Sequence, residues 1–235
     1  MRLIGLIGGM SWESSQQYYR VINEVAAQRL GGLSSARLVL YSLDFSEVEL
    51  AQRQGDWDGV TAILVEAGKA LKLAGADFLV LCTNTMHKVS GALCEQVGLP
   101  LLDIIEVIGR AIVASRLQRV GLLGTRLTME DPFYAGRLRD SCGVEVLVPG
   151  PEERDEINRI IYQELCRGSV ESSSRRTVVQ IINGLVEAGA QGVVLGCTEL
   201  PLLVGPRDVH VPLFDTSRLH AEAAVDMALS DGSAG

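Results

Sequence analysis

The sequence predicts an α/β protein built from two pseudo-symmetric lobes, each a mostly parallel sheet flanked by helices. Two observations predict this fold. Short apolar runs alternate with stretches of helical spacing along all 235 residues, which is typical of parallel strands covered on both faces. In addition, several sequence landmarks recur in the same order about half a chain apart, which indicates a duplication.

Eight apolar runs are predicted to be strands, because each is short and rich in branched aliphatic residues. Apolar residues at helical spacing between them predict helices, such as the stripe formed by Tyr18, Val21, Ile22 and Val25. Gly31 is placed to end the first helix. The predicted strands are 3–7, 36–42, 78–82, 101–104, 120–124, 144–148, 192–196 and 211–214.

The repeat ends on a cysteine in both halves. The run 74–85 reads AGADFLVLCTNT and the run 188–199 reads AGAQGVVLGCTE, so that Cys82 and Cys197 are 115 residues apart. IGLIG at 4–8 parallels VGLLG at 120–124 with an offset of 116, and PLLD at 100–103 parallels PLFD at 212–215 with an offset of 112. A generic likeness between two βαβ units is the alternative, and the shared order of the landmarks favours duplication.

Composition excludes several classes of protein. A net charge of −8 argues against nucleic acid or an anionic membrane as a partner, since both require a basic surface. No run approaches the ~18 apolar residues of a spanning helix, and the N-terminus enters a strand without a secretory leader, so a cytoplasmic location is expected. The five cysteines include no CxxC pair, and the three histidines are scattered, so neither a disulfide framework nor a metal site is expected.

The two cysteine turns are the strongest candidates for chemistry. Cys82 is predicted to lie at the end of a strand, ahead of a helix from Met86, where helical N–H groups would favour the thiolate. A lone cysteine of this kind is more often a buried core residue, but the second copy at Cys197 favours function. Two thiol bases on opposite faces of a Cα would allow a proton to be removed from one face and returned to the other. Cys94, Cys142 and Cys166 lack this context and are interpreted as inert.

Further polar residues are weaker candidates. The glycine turn before Met10 could bring backbone N–H groups to an anion, and Thr125 with Arg126 mirrors it in the second half. Gln52 is expected in a loop over 44–55 that could fold over a cleft between the lobes, or as an ordinary solvated residue. His87 leaves a Cys–His nucleophile open as an alternative, with a backbone contact as its other interpretation.

Taken together, these residues resemble the aspartate/glutamate racemase superfamily, especially its bacterial aspartate, L-aspartate/glutamate-specific and broad-specificity amino-acid racemases. The motifs that carry the resemblance are GGMSWES at 8–14, LCTNTMH at 81–87, LLGTRLTM at 122–129 and LGCTELPLL at 195–203. The GGM turn differs from the DSGxGG-like turn of glutamate racemases proper, which weighs against that subfamily.

The resemblance implies a cofactor-independent isomerase, commonly a homodimer, with its active site in the cleft between the lobes. It implies lobe 1 over 1–103, completed by a C-terminal helix over 216–235, and lobe 2 over 104–215. Cys82 and Cys197 would be the acid/base pair of a two-base racemase acting on aspartate or glutamate, with no cofactor and no metal. The residues implied or predicted to bind the substrate are Met10, Gln52, Thr83, Asn84, Thr85, Thr125, Thr198 and Glu199.

Several alternatives stay open. Racemisation of neutral amino acids or of hydantoins would use the same pair of thiols. A non-catalytic amino-acid-binding protein would have no need of two thiols. The cation that would hold a side-chain carboxylate is not identified, and Arg53, Arg126 and Arg167 are the candidates.

Overall fold

The structure is a computed structural model that describes residues 1–230, and within them the chain divides into two compact units. Unit 1 contains residues 1–103 together with those from His220 onward, and unit 2 contains Ile104–Leu219. The sequence placed the division at 103/104 and 215/216. Residues 231–235 of the predicted C-terminal helix lie outside the described residues.

Unit 1 contains a parallel sheet of four strands in the order β2-β1-β3-β4. Its elements in chain order are β1 (Ile4–Gly8), α1 (Trp12–Leu30), β2 (Leu38–Ser42), α2 (Phe45–Gln54), α3 (Trp57–Leu73), β3 (Phe78–Leu81), a 3₁₀ helix (Thr85–Val89), α4 (Ser90–Val97) and β4 (Leu101–Leu102).

Unit 2 repeats this arrangement with a parallel sheet in the order β6-β5-β7-β8. Its elements are α5 (Ile104–Ala114), β5 (Arg119–Leu123), α6 (Arg126–Glu130), α7 (Pro132–Cys142), β6 (Glu145–Leu147), α8 (Pro151–Gln163), a 3₁₀ helix (Leu165–Arg167), α9 (Ser172–Glu187), β7 (Val193–Leu195), α10 (Leu200–Leu203) and β8 (Leu213–Asp215). The last helix, α11 (Thr216–Leu229), begins in unit 2 and from His220 belongs to unit 1.

The predicted α/β class and its parallel sheets are confirmed. Each of the eight predicted strands is present, and β1, β3, β5 and β7 are almost entirely buried, as their apolar runs require. The predicted stripe of α1 is confirmed as well, because Tyr18, Ile22 and Val25 are buried. Gly31 ends α1 with a φ of 77°, in the left-handed half of the Ramachandran plot that favours glycine.

The prediction of a loop over 44–55 is wrong, because this segment folds into helix α2. The Asp44 carboxylate accepts the backbone N–H of Ser46 at 2.9 Å and caps the start of the helix. Gly55 ends it in a left-handed conformation with a φ of 73°. Gln52 consequently lies in the last turn of a helix.

The two sheets share one internal register, which supports the duplication. In unit 1, Ile7 of β1 pairs with Leu81 of β3, and in unit 2, Leu123 of β5 pairs with Leu195 of β7. The first strands of the two sheets are thus offset by 116 residues, whereas the third strands are offset by 114.

A side chain ahead of the third strand makes the same contact in both units. Asp77 accepts the backbone N–H of Leu3 at 2.6 Å, and Gln191 accepts the backbone N–H of Arg119 at 3.1 Å. These two pairs have the same offsets of 116 and 114 residues as the strands that they join. The register of the duplication is therefore fixed by side chains as well as by strand pairing.

Within residues 1–230, no helix is both long enough and apolar enough to cross a membrane. The same residues contain no group of three His, Cys, Asp or Glu side chains placed to hold a metal ion.

Candidate active site

The polar candidates of unit 1 lie where β3 ends. The residue after the strand, Cys82, donates its backbone N–H to the Ile7 carbonyl at 2.9 Å, which extends the ladder by one residue. Thr83, Asn84 and Thr85 follow it and are all buried. We call residues 82–85 the first turn.

The Cys82 thiol faces the protein interior. Its side chain is fully buried, and Sγ lies 3.8 Å from the Val80 carbonyl of its own strand. Burial raises the pKa of the Cys82 thiol, because the thiolate would lose its hydration without gaining a partner. The expectation that helical N–H groups favour this thiolate is therefore wrong. The first turn leads into a short 3₁₀ helix instead of an α-helix from Met86.

Behind the first turn lies a buried histidine pair. His87 donates its Nδ1–H to the Thr83 carbonyl at 2.7 Å, and its ring contacts that of His220 with 5.8 Å between the centroids. His220 is fully buried and contacts the Leu102 carbonyl through Nε2 and the Tyr18 hydroxyl through Nδ1, each at 2.9 Å. Because a carbonyl only accepts, Nε2 carries the hydrogen and Tyr18 donates to Nδ1. His87 thus makes the backbone contact that was one of its two interpretations.

His220 is held neutral, and the stability of the protein should reflect it. Burial, followed by repulsion from His87, lowers the pKa of His220 to about 3, against 6.5 for an ordinary histidine. Between these values the unfolded chain binds more protons, so the free energy of unfolding should fall as the pH drops from about 6.5 to about 3. Urea unfolding across this range measures the effect. A His220→Gln variant, which cannot titrate, should show a shallower dependence; an identical slope would contradict the assignment.

At the glycine turn of unit 1, the backbone of Gly9 lies close to the backbone of Leu43. Gly9 has a φ of 91°, and a Cβ built on it would clash with the Leu43 carbonyl oxygen. Its backbone N–H donates to the Ser15 hydroxyl at 2.8 Å, within the protein. Met10 is buried in the hydrophobic core of unit 1. The contacts that these residues make are structural, and a substrate contact by Met10 stays a prediction.

In unit 2 the end of β7 carries a thiol beside a carboxylate. Cys197 donates its S–H to Glu199 Oε2 at 3.0 Å, and the Thr198 hydroxyl donates to the same oxygen at 2.9 Å. All three side chains are buried, with 7% of Cys197 and 3% of Glu199 exposed. Burial and then the negative charge of Glu199 raise the pKa of the Cys197 thiol well above its usual value. We call residues 196–199 the second turn.

Cys166 lies near the second turn, which its sequence context did not indicate. Its 3₁₀ helix contacts α10, and its side chain packs against the core cluster that contains Cys197. Burial and the charge of Glu199 raise the pKa of Cys166 to about 12. This neighbour, which was interpreted as inert, is brought there by tertiary packing alone.

Thr125 and Arg126 follow β5, next to the second turn in the sheet. Thr125 caps α6, and its hydroxyl lies 3.1 Å from that of Thr128. The guanidinium of Arg126 is engaged in ion pairs with Asp155 and Glu130. An anion that binds Arg126 would therefore have to compete with two carboxylates for its guanidinium.

The other predicted contacts lie on α2 and the second 3₁₀ helix. Gln52 is half-buried, whereas Arg53 beside it is exposed and 3.9 Å from Glu49. Arg167 is exposed. None of these positions by itself identifies a binding contact.

The strand register changes which residue corresponds to Cys197. Because Leu81 and Leu195 hold the same place in the two sheets, Cys82 corresponds to Gly196 and Thr83 corresponds to Cys197. The backbone N–H groups of Cys82 and Gly196 both donate to the end of the neighbouring strand, at 2.9 and 2.6 Å. The cysteine-to-cysteine offset of 115 residues is thus one residue out of register.

Comparison with known proteins identifies the family. A family model described as Asp/Glu/Hydantoin racemase matches residues 7–224. A crystal structure of a Yersinia pestis protein provisionally described as an Asp/Glu racemase is 48% identical, covers 98% of this chain and 100% of its own, and has a TM-score of 0.91. An aspartate racemase homologue from Pyrococcus horikoshii is 36% identical, with coverages of 97% and 99% and a TM-score of 0.85.

The chain belongs to the Asp/Glu/Hydantoin racemase family.

Among curated members of this family, the broad-specificity amino-acid racemase RacX of Bacillus subtilis is 22% identical over 97% of this chain and 99% of its own. The match spans 56% to 66% of the length of the first curated glutamate racemases: the Deinococcus radiodurans enzyme is 27% identical over 71% of this chain and 56% of its own. Both turns lie within the residues that match the Asp/Glu/Hydantoin racemase model. The family description names three kinds of substrate and does not choose among them.

Proposed function

We propose that this protein is a cofactor-independent amino-acid racemase, an isomerase that moves a proton between the two faces of Cα, with aspartate and glutamate as its main substrates. The family membership supports racemisation, and the aspartate racemase homologue and RacX support an amino-acid substrate. The observation that carries the proposal is the matched place of the two turns, each at the carboxyl end of the third strand of its sheet.

Cys197 is the base on one face of Cα in this proposal. Its thiol lies in hydrogen-bond contact with a carboxylate, and thiolates are competent proton acceptors for a carbon acid. The amide of Asn84 and the hydroxyl of Thr85 supply donors suited to a substrate carboxylate, whereas the Thr198 hydroxyl is bonded to Glu199. Stabilising charge on that carboxylate favours loss of the α-proton.

The group on the opposite face comes from the first turn. The sequence predicted Cys82, whereas the register places Thr83 where unit 2 has Cys197. Cys82 is fully buried and contacts its own strand, whereas 8% of Thr83 is exposed. We therefore propose Thr83 as the second acid/base group and retain Cys82 as the alternative. A hydroxyl is a far weaker acid than a thiol, so kcat should differ between the two enantiomers, with KM differing in the same proportion because the enantiomers are equal in free energy.

The family resemblance supports a homodimer as a further proposal, and we also propose a cytoplasmic location. Each of the five cysteines, all of which lie within the described residues, is a free thiol, and free thiols are typical of reducing compartments.

The proposal is tested by deuterium exchange. The purified protein is incubated in D₂O with single amino acids, with EDTA present and without pyridoxal phosphate. We expect deuterium at Cα together with formation of the opposite enantiomer of aspartate or glutamate. Deuterium is measured by α-proton NMR and the enantiomers are measured by chiral chromatography. Neutral amino acids and hydantoins are the comparison substrates. Tight binding without exchange of any α-proton would contradict racemisation and would favour an amino-acid-binding protein.

A further inference from the structure

The second turn contains a thiol and a carboxylate that share a buried hydrogen bond. Sγ of Cys197 and Oε2 of Glu199 are 3.0 Å apart, with the proton between them, and the Thr198 hydroxyl donates to the same oxygen at 2.9 Å. A thiol that is to act as a base must first lose this proton. The proton can pass to Glu199 or to solvent.

We propose that Glu199 receives the Cys197 proton when the thiol becomes the catalytic base, a positioning role that rests on the proposed racemase function. In this step the S–H bond breaks, its electron pair stays on sulfur, and an O–H bond forms at Oε2. The thiolate then takes the α-proton of the substrate, which restores the S–H bond. The group on the opposite face protonates Cα and regains its proton from solvent, and Glu199 returns its proton to solvent, which closes the cycle.

Electrostatics favours transfer to Glu199 over loss of the proton to solvent. Ionising Cys197 while Glu199 stays charged would place two negative charges about 3 Å apart in a buried turn, where they are poorly screened. Transfer to Glu199 leaves one negative charge on the pair. Cys166, which faces the same pair, has a pKa raised to about 12 and so adds no charge at neutral pH.

The hydrogen-bond geometry serves both protonation states. Before transfer, the S–H and the Thr198 hydroxyl both donate to the carboxylate oxygen. After transfer, the new O–H of Glu199 donates back to the thiolate, while Oε2 still accepts from Thr198. The proton crosses one existing hydrogen bond, and no heavy atom needs to move.

The test is the pH dependence of Cys197 alkylation by iodoacetamide in the absence of substrate. The extent of alkylation is measured by peptide mass mapping. In the wild-type protein, the fraction of thiolate within the singly charged pair does not depend on pH, so the alkylation rate should be flat around neutrality. In a Glu199→Gln variant the lone thiol should instead react about tenfold faster for each unit of rising pH, because only the thiolate is nucleophilic. Glu187→Gln, at an exposed position of α9, is the matched control and should keep the flat profile.

Racemisation provides the second readout. Glu199→Gln should lower kcat by ~10²-fold or more, the typical contribution of a positioned proton acceptor, with a smaller change in KM. Glu199→Asp keeps a carboxylate and should retain part of the flat alkylation profile, and it replaces the Gln variant if that variant does not fold. A wild-type alkylation rate that rises tenfold per pH unit would overturn the proposal. Alkylation does not require turnover, so this result is independent of whether the protein proves to be a racemase.

Discussion

Replacing Cys197 by Ser is expected to lower the rate of racemisation by at least ~10²- to 10⁴-fold, which corresponds to ~3–5 kcal/mol of transition-state stabilisation. The serine hydroxyl can occupy the same place and accept or donate a hydrogen bond, but it does not ionise near neutral pH. The face of Cα served by Cys197 would therefore lack a base. Initial rates from each enantiomer, measured by chiral chromatography and by α-proton exchange in D₂O, give the loss.

The matched control is Cys142→Ser. Cys142 is a half-buried thiol at the end of α7, next to the Ser141 hydroxyl, and has no proposed role. The Cys142→Ser variant should racemise its substrate at the wild-type rate. Urea unfolding of both variants separates a loss of chemistry from a loss of fold. Wild-type racemisation by a folded Cys197→Ser variant would remove Cys197 from the mechanism.

Much of the fold could be predicted because buried parallel strands have a recognisable sequence pattern. A strand covered on both faces must be apolar at every position, as β3 and β7 are, and helices between such strands show one buried stripe. The duplication was visible for the same reason. What failed was the loop over 44–55, although an Asp cap at Asp44 and a glycine at Gly55 both mark a helix.

The candidate site could be predicted in part. The Cys-Thr-Glu sequence of the second turn was identified, but the hydrogen bond from Cys197 to Glu199 depends on how the backbone turns after β7. The proximity of Cys166 could not be predicted, because it arises from packing between elements distant in sequence. Local patterns report which face of an element is buried, but they do not report its tertiary neighbours.

The pairing of the two cysteines rests on residue identity, which differs here from strand register. Matching thiol to thiol gave an offset of 115 residues, yet the Ala-Gly-Ala triplets ahead of both strands, at 74–76 and 188–190, are 114 apart. The strands keep that offset because backbone hydrogen bonds fix the register regardless of the side chain. A glycine at 196 also fits, since a Cβ there would lie 2.8 Å from a Leu122 methyl group.

The first turn therefore yields the sharpest test, a comparison of Thr83→Val with Cys82→Ala. Thr83→Val keeps the shape of the side chain but removes the hydroxyl, so net inversion should fall by ~10²-fold or more. The Cys197 base would remain, and the enantiomer whose α-proton faces Cys197 should still exchange its proton in D₂O with retention of configuration. Cys82→Ala removes only a buried thiol, so racemisation should persist with ~1 kcal/mol or more of lost stability.

Both outcomes are informative because the two residues are adjacent and yet differ in environment. Thr83 corresponds in register to Cys197, whereas the Cys82 thiol is fully buried and 3.8 Å from the carbonyl of Val80. If Cys82→Ala abolishes racemisation while the protein stays folded and Cys197 stays reactive towards iodoacetamide, the pair of thiols predicted from the sequence is the acid/base pair. If Thr83→Val abolishes inversion and spares one-sided exchange, the enzyme works with a thiol on one face and a hydroxyl on the other. In that case, the difference in acidity between two matched positions would give the two enantiomers different kcat and KM values, while the reaction would still end at an equal mixture of the two.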